Sequence, residues 1–372
     1  MTTAPVTQIP VEIYGVIIEI LRKSLDLINC SLVCRSWAPF TRRQLFSRVV
    51  LNGKSALRFV KLLQSPHCTI TPSRIRSVTL SSLYPDRLSR KKVPLWLSMV
   101  LLELQSFPMI QRLRLKGDTP PNPEIQDLLA RAFPNVTQFC LCDIRFPTRK
   151  IFEEFTNLVN RFPSLTALDI RGTGIYQPYR LTRRTLPPPS KLTALHLDYR
   201  HVLSVLSWIN IHHSNERITD LSVDFGDEND VIVFRNFLGI RNDTLVRLSL
   251  EFVDAAWRTF AASVNLSYQT ALRSLTMDLW DGDWRKENKK LDIPSYFSRT
   301  GDHRLRYIKF LLGHMPTTKW WTAMDDVLSG PRFSQLSHIV IVIPDRNTKI
   351  IPAMEALPKC AGRKEVKLMS LT

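Results

Sequence analysis

From residue 70 onward a short alternating pattern of apolar and polar positions recurs along the chain. It reads IRSVTL, IQRLRL, VTQFCL, LTALDI, LTALHL, ITDLSV, LVRLSL, LRSLTM, LRYIKF and LSHIVI. The central apolar residues are Val78, Leu113, Phe139, Leu168, Leu195, Leu221, Leu248, Leu275, Ile308 and Ile339, and successive centres lie 26 to 35 residues apart. Alternation at period two predicts a strand with one buried face. Between strands, apolar residues fall at helical spacing, as in Phe152, Phe155, Leu158, Val159 and Phe162, or Val202, Val205, Leu206, Trp208 and Ile209. A strand and a helix repeating at this interval predict parallel strands, because a parallel connection needs a dozen or more residues and closes right-handed. The fold class expected is α/β: a right-handed β/α solenoid, curved as a horseshoe. An open doubly wound sheet is the competing architecture, but it uses glycine-rich strand-to-helix turns, and the chain has 12 glycines.

The first fifty residues follow a different pattern. Pro10 stands where a helix can begin at little cost in lost N–H donors, and Ile13, Ile17, Ile20 and Leu21 then keep to one helical stripe. A second segment runs through Leu25, Leu27, Cys30, Leu32, Val33, Cys34 and Trp37; after Pro39 a third carries Arg42, Arg43, Leu45 and Phe46. Three helices of about ten residues are too short to stand alone. Periodicity fits equally an ordinary helical bundle and a module that docks on a partner.

The order of landmarks adds to this. Ile-Pro-x-Glu-Ile from Ile9, then Cys-Ser-Leu-Val-Cys-Arg-Ser-Trp ending at Trp37, then Leu45-Phe46 resembles an F-box, and the repeats that follow resemble leucine-rich repeats, an arrangement found in fungal-type F-box proteins. The resemblance implies a substrate-recognition subunit of an SCF-type cullin ubiquitin ligase, non-catalytic and cofactor-free. Its implied contacts with a Skp-type adaptor are Ile9, Pro10, Ile13, Leu32, Val33, Trp37 and Leu45. The domains expected are an adaptor-docking segment over 1–51, a linker helix over 52–73 around Leu57, Val60 and Leu63, and about ten irregular repeats over 74–372. One departure stands out. Where leucine-rich repeats commonly place Asn or Cys after the strand, this chain has Asp118, Ile144, Thr173, Arg200, Gly226, Val253 and Trp280, so it carries no asparagine ladder.

Strand alternation assigns the flanks of each anchor to the face turned away from the helices. Those flanks are Arg112, Arg114 and Lys116; Gln138, Cys140 and Cys142; Ala167, Asp169 and Arg171; Ala194, His196 and Asp198; Asp220, Ser222 and Asp224; Arg247, Ser249 and Glu251; Ser274, Thr276 and Asp278; Tyr307, Lys309 and Leu311; and His338, Val340 and Val342. Asp169, Asp198, Asp220, Asp224, Glu251 and Asp278 make the middle of this face acidic, which suits a basic segment of a protein substrate. A face charged only for solubility is the alternative. Residues 172–191 and 281–304 interrupt the period as long loops.

Overall charge sharpens the contrast. The chain of 372 residues has a formal net charge of +18, yet residues 191–283 hold 8 Lys and Arg against 13 Asp and Glu, while residues 1–120 hold 18 against 6. An acidic belt between two basic ends argues against a continuous phosphate-binding groove, and so against a nucleic-acid-binding repeat protein. A repeat scaffold without a ligase role stays open. No apolar run reaches the roughly 20 residues that span a bilayer, and the first ten residues lack signal-peptide character, which predicts an intracellular chain, cytoplasmic and/or nuclear, away from membranes. Six cysteines predict free thiols. Cys140-x-Cys142 lacks further ligands for a metal site, phosphate-loop and hydrolase motifs are missing, and Arg90-Lys91-Lys92 and residues 286–290 are weak import signals.

Overall fold

The computed structural model describes residues 11–370 apart from 22–23, 34, 69, 72–73, 82–92, 147, 173–184, 240–242, 253, 280–292, 300–303, 314–316, 344–352 and 363. Ile9, Pro10, the Arg90 and residue 286–290 clusters and most of the two long loops therefore lie outside the described residues. The chain forms two compact units, residues 1–142 and 143–372.

The first unit begins with three helices, α1 (Val11–Ile20), α2 (Ser24–Val33) and α3 (Ala38–Leu45). Pro39 sits in the first turn of α3, where its missing N–H costs nothing, so it opens the third helix. Next come β1 (Arg48–Leu51), α4 (Gly53–Leu63), β2 (Ser77–Ser81), α5 (Leu95–Leu104), β3 (Arg112–Lys116), α6 (Pro123–Ala132) and β4 (Gln138–Cys142). The four strands pair in chain order, all parallel. Residues expected to be a spacer thus hold α4, the helix that follows the first strand of the sheet. Asn52 caps it: its side chain accepts the N–H groups of Lys54 and Ser55, and Ser55 returns a bond to the Asn52 N–H.

The second unit contains α7 (Arg149–Asn160), β5 (Ala167–Arg171), β6 (Ala194–Leu197), α8 (Val202–Ile211), β7 (Asp220–Phe225), α9 (Glu228–Gly239), β8 (Arg247–Phe252) and α10 (Asp254–Ser263). It continues with β9 (Ser274–Leu279), α11 (Ile293–Arg299), β10 (Tyr307–Leu312), α12 (Thr318–Ser329), β11 (His338–Ile343), α13 (Ala353–Ala356), α14 (Pro358–Ala361) and β12 (Glu365–Ser370). Its eight strands also pair in chain order and in parallel. No described helix is long and apolar enough to cross a membrane.

All ten anchors read from the sequence lie in strands, and they pair with one another. Val78 stands opposite Leu113 and Leu113 opposite Phe139; in the second unit Leu168, Leu195, Leu221, Leu248, Leu275, Ile308 and Ile339 form one line. Two strands lie beyond them. Val49 of β1 pairs with Val78, and Val366 of β12 pairs with Ile339.

A carbonyl ladder stacks the repeats at the start of their strands, the end opposite to the one where an asparagine ladder would lie. The residue two positions before an anchor offers one C=O to two N–H groups of the following repeat. Ser47 accepts from Arg76 and Ser77, Arg76 from Gln111 and Arg112, and Gln111 from Thr137 and Gln138. The second unit repeats this at Thr166, Thr193, Thr219, Val246, Arg273 and Arg306. At three of these positions a Thr or Ser hydroxyl donates to the same carbonyl: Thr137 to Gln111, Thr193 to Thr166 and Ser337 to Arg306, at 3.0–3.4 Å. Buried backbone groups need partners, and this line supplies them at the N-terminal ends of neighbouring strands within each unit.

Candidate functional site

In the first unit, α1 and α2 both pack on α3, and inward-facing side chains are few: Ile18, Leu27 and Thr41 are buried. The apolar stripe of α1 faces the other way. Ile13, Val16, Ile17 and Ile20 are exposed, and so are Leu25, Ile28, Leu32 and Val33 of α2, with Leu32 79% and Val33 68% accessible. Steps of three and four on each helix make these stripes rather than scattered residues. Among the adaptor contacts expected from the sequence, Ile13, Leu32 and Val33 are therefore open. Trp37 is half-buried with its ring 5.6 Å from that of Tyr14, Leu45 is half-buried, and Ile9 and Pro10 are outside the described residues. Val16, Ile20, Leu25 and Ile28 join this surface without having been singled out as contacts, although their spacing was legible.

On the strand face of the first unit, Arg112, Arg114 and Lys116 are exposed as alternation requires. Cys140 departs from expectation: it is buried, with its sulfur 3.5 Å from that of Cys142 on the same face. A similar departure occurs in β11, where Val340 and Val342 are buried and only His338 of that strand is exposed. Their register neighbours are the longer side chains Lys309 and Lys367, and Leu311 and Met369.

The six acids of the second unit do not form one equivalent set. Asp169 is bonded by Arg171 Nε at 2.9 Å, and Asp220 is paired with Arg247 across the strand and accepts from the Thr219 hydroxyl. Asp198 closes a loop, accepting the N–H groups of Gly172 at 3.1 Å and Arg200 at 3.0 Å. Gly172 is required here, since a Cβ would lie 2.4 Å from His201 Nε2 and 2.7 Å from the Ile144 carbonyl oxygen. Register then brings Asp224, Glu251 and Asp278 level on β7, β8 and β9. Asp198, one residue past the Leu197–Val223 pair, falls in the same row.

Adjacent strands are about 4.8 Å apart, so like charges in such a row repel. Burial first, then Glu251 and Asp198, pushes the Asp224 carboxyl up to about 7. Glu251 is raised for the same reasons, burial ahead of Asp278 and Asp198. Sequence reasoning missed Asp230, at the start of α9, whose carboxylate accepts the Gly226 N–H; burial raises it too, to about 7. His201 is buried beside Phe146 and held down to about 4, so it is neutral. His196, 4.0 Å from Asp169, is lowered by burial.

A stability test follows from Asp224. Between about pH 4 and pH 7 the folded chain retains a proton that the unfolded chain has lost, so stability declines as pH rises through that window. Asp224→Asn removes the decline. Allowing for solvent screening, we expect it to gain about 1–2 kcal/mol at pH 8 and nothing at pH 4. Urea midpoints of both proteins at the two pH values measure this, and an equal difference at both would show that Asp224 ionises freely.

No family model and no curated protein matches the sequence. Among solved structures, a chain of the complex of Rad7 and Elc1 in yeast is similar over 91% of this chain and 90% of that chain, at 13% identity and a TM-score of 0.31. A likeness at that level fixes neither fold nor partner for this protein.

Proposed function

We propose that the chain is the substrate-recognition subunit of an SCF-type cullin ubiquitin ligase, docking a Skp-type adaptor through α1–α3 and holding a protein substrate on its strand face. One observation carries the reading: two helices bearing the F-box-like landmarks turn their aliphatic stripes to solvent. Exposed apolar surface of that regularity stabilises the chain only when a partner covers it. Helix-in-groove or helix-on-helix docking uses anchors at this spacing. In this role the chain supplies no catalytic group. It acts by raising the effective concentration of substrate near a recruited ubiquitin-charged enzyme.

The row of Asp198, Asp224, Glu251 and Asp278 suits a basic segment of the substrate, whose Lys or Arg would relieve the repulsion that raises Asp224 and Glu251. Asp169 and Asp220 contribute less, having their own arginines.

Pull-down of a purified Skp-type adaptor tests the docking half. Wild type should retain it, and Ile13→Asp combined with Leu32→Asp should lose it while keeping its thermal midpoint, because both side chains are exposed in the free chain. Retention by the double variant would remove α1 and α2 from the interface.

A further inference from the structure

The N-terminal ends of β1 to β4 surround a cavity of about 740 Å³ whose chemistry is unlike that of the docking helices or the acidic row. Five arginines line it: Arg43 from α3, Arg48 at the start of β1, Arg74 and Arg76 just before β2, and Arg112 at the start of β3. Among the described residues no carboxylate lines it. Apart from Met109, the other lining residues carry amide or hydroxyl groups. We infer that this cavity is a binding site for a small polyanion bearing two or more phosphate groups.

The arginines converge because the carbonyl ladder stacks Ser47, Arg76 and Gln111, placing the starts of three neighbouring parallel strands side by side. Five guanidinium groups around one cavity repel one another, and none of the five has a carboxylate partner among the described residues. Arg112 is held in place: its Nε donates to Gln138 Oε1 at 2.6 Å, which leaves its terminal nitrogens for a ligand. A planar guanidinium matches phosphate in a two-point contact, and several converging on one volume favour a ligand with several phosphates.

Size and lining separate this from nucleic-acid binding. A volume of this order is that of a small-molecule site. Single strands are gripped by stacking their bases on aromatic side chains, and none of the described residues that line the cavity is aromatic. The site lies wholly in the first unit and does not depend on the adaptor reading.

Titration calorimetry of the full chain with inorganic tripolyphosphate at 0.15 M salt tests the assignment. We expect one saturable site, weakened about 30-fold by Arg48→Gln with Arg76→Gln, as loss of two charge-assisted contacts implies. The pair Arg48→Lys and Arg76→Lys keeps charge but not planar geometry and should weaken binding by about 5-fold. A control pair of equal charge on α4, Arg58→Gln with Lys61→Gln, should change it less than about 2-fold, since exposed charges at a distance are screened. Absence of saturable heat, or equal weakening by the control pair, would overturn the site. An oligonucleotide that binds more tightly and displaces tripolyphosphate would overturn the small-ligand assignment in favour of nucleic acid.

Discussion

Phe260→Ala is expected to destabilise the protein by about 3–5 kcal/mol, the range for removing a fully buried phenyl ring and leaving its cavity. The ring lies on α10 and is fully buried. It touches Phe225 of β7, Phe234 of α9, Phe252 of β8, Trp257 of its own helix and Tyr296 of α11, at centroid distances of 4.9 to 6.2 Å. One side chain therefore joins successive strand–helix repeats. Stability in such stacks is close to a sum of repeat terms and neighbour interfaces, so losing this ring weakens two interfaces at once. Phe260→Leu, which refills much of the volume, should cost about 1–1.5 kcal/mol. Urea denaturation followed by tryptophan fluorescence reports both; a loss below about 1 kcal/mol for the alanine variant would mean that the neighbouring rings close over the gap.

Asp325→Ala should have the next largest effect, about 2–4 kcal/mol, concentrated at the end of the chain. Asp325 of α12 is buried and accepts two backbone N–H groups of α14, from Lys359 and Cys360, at 2.9 Å each. Leu357, the cap residue of α14, has no side chain able to do this, so the carboxylate of a neighbouring helix caps α14 in its place. Removing it leaves the Cys360 N–H buried without its acceptor. Release of α13, α14 and β12 should follow, because local opening begins where few contacts hold an element. Cys360 is the reporter. Burial, then the bond to Asp325, pushes its thiol up to about 12, which keeps it inert in the folded chain. Alkylation by iodoacetamide at pH 8 should accelerate at Cys360 in the variant, and an unchanged rate would show that the end of the sheet stays closed without Asp325.

Much of the strand framework was legible because alternation is a local property of the backbone. Every anchor from Val78 to Ile339 lies in a strand, and the intervening apolar runs at 152–159 and 202–209 lie in α7 and α8, with Phe162 just past the end of α7. The two missed strands also keep the period, with Val49 placed 29 residues before Val78 and Val366 placed 27 after Ile339. They are hidden for different reasons: RVVL directly follows three short helices and is too short to show alternation of its own, and EVKLMS alternates charge with apolar residues after the last long repeat. The recurrent Thr two positions before an anchor was a further signal, whose meaning only the bonds from Thr137 to Gln111 and from Thr193 to Thr166 disclose.

The candidate sites divide along the same line. Helical spacing alone showed that Ile13, Ile17 and Ile20 share a stripe, but not that the stripe faces outward, since burial depends on what packs against a helix. Likewise the sequence placed six acids on one strand face. Register decided that Asp220 meets Arg247, and that Asp198, which also accepts loop N–H groups, stands in a row with Asp224, Glu251 and Asp278.

By itself the sequence determined which residues of each repeat point inward and how often the repeat returns, because both follow from backbone periods of two and of about 3.6. Only the tertiary structure decided which side chains from different repeats stand level, and so brought Arg43, Arg48, Arg74, Arg76 and Arg112 around one cavity. Those residues are separated by up to some seventy positions in the chain. What unites them is the hydrogen-bonded stacking of parallel strands, a long-range relation that no local pattern encodes.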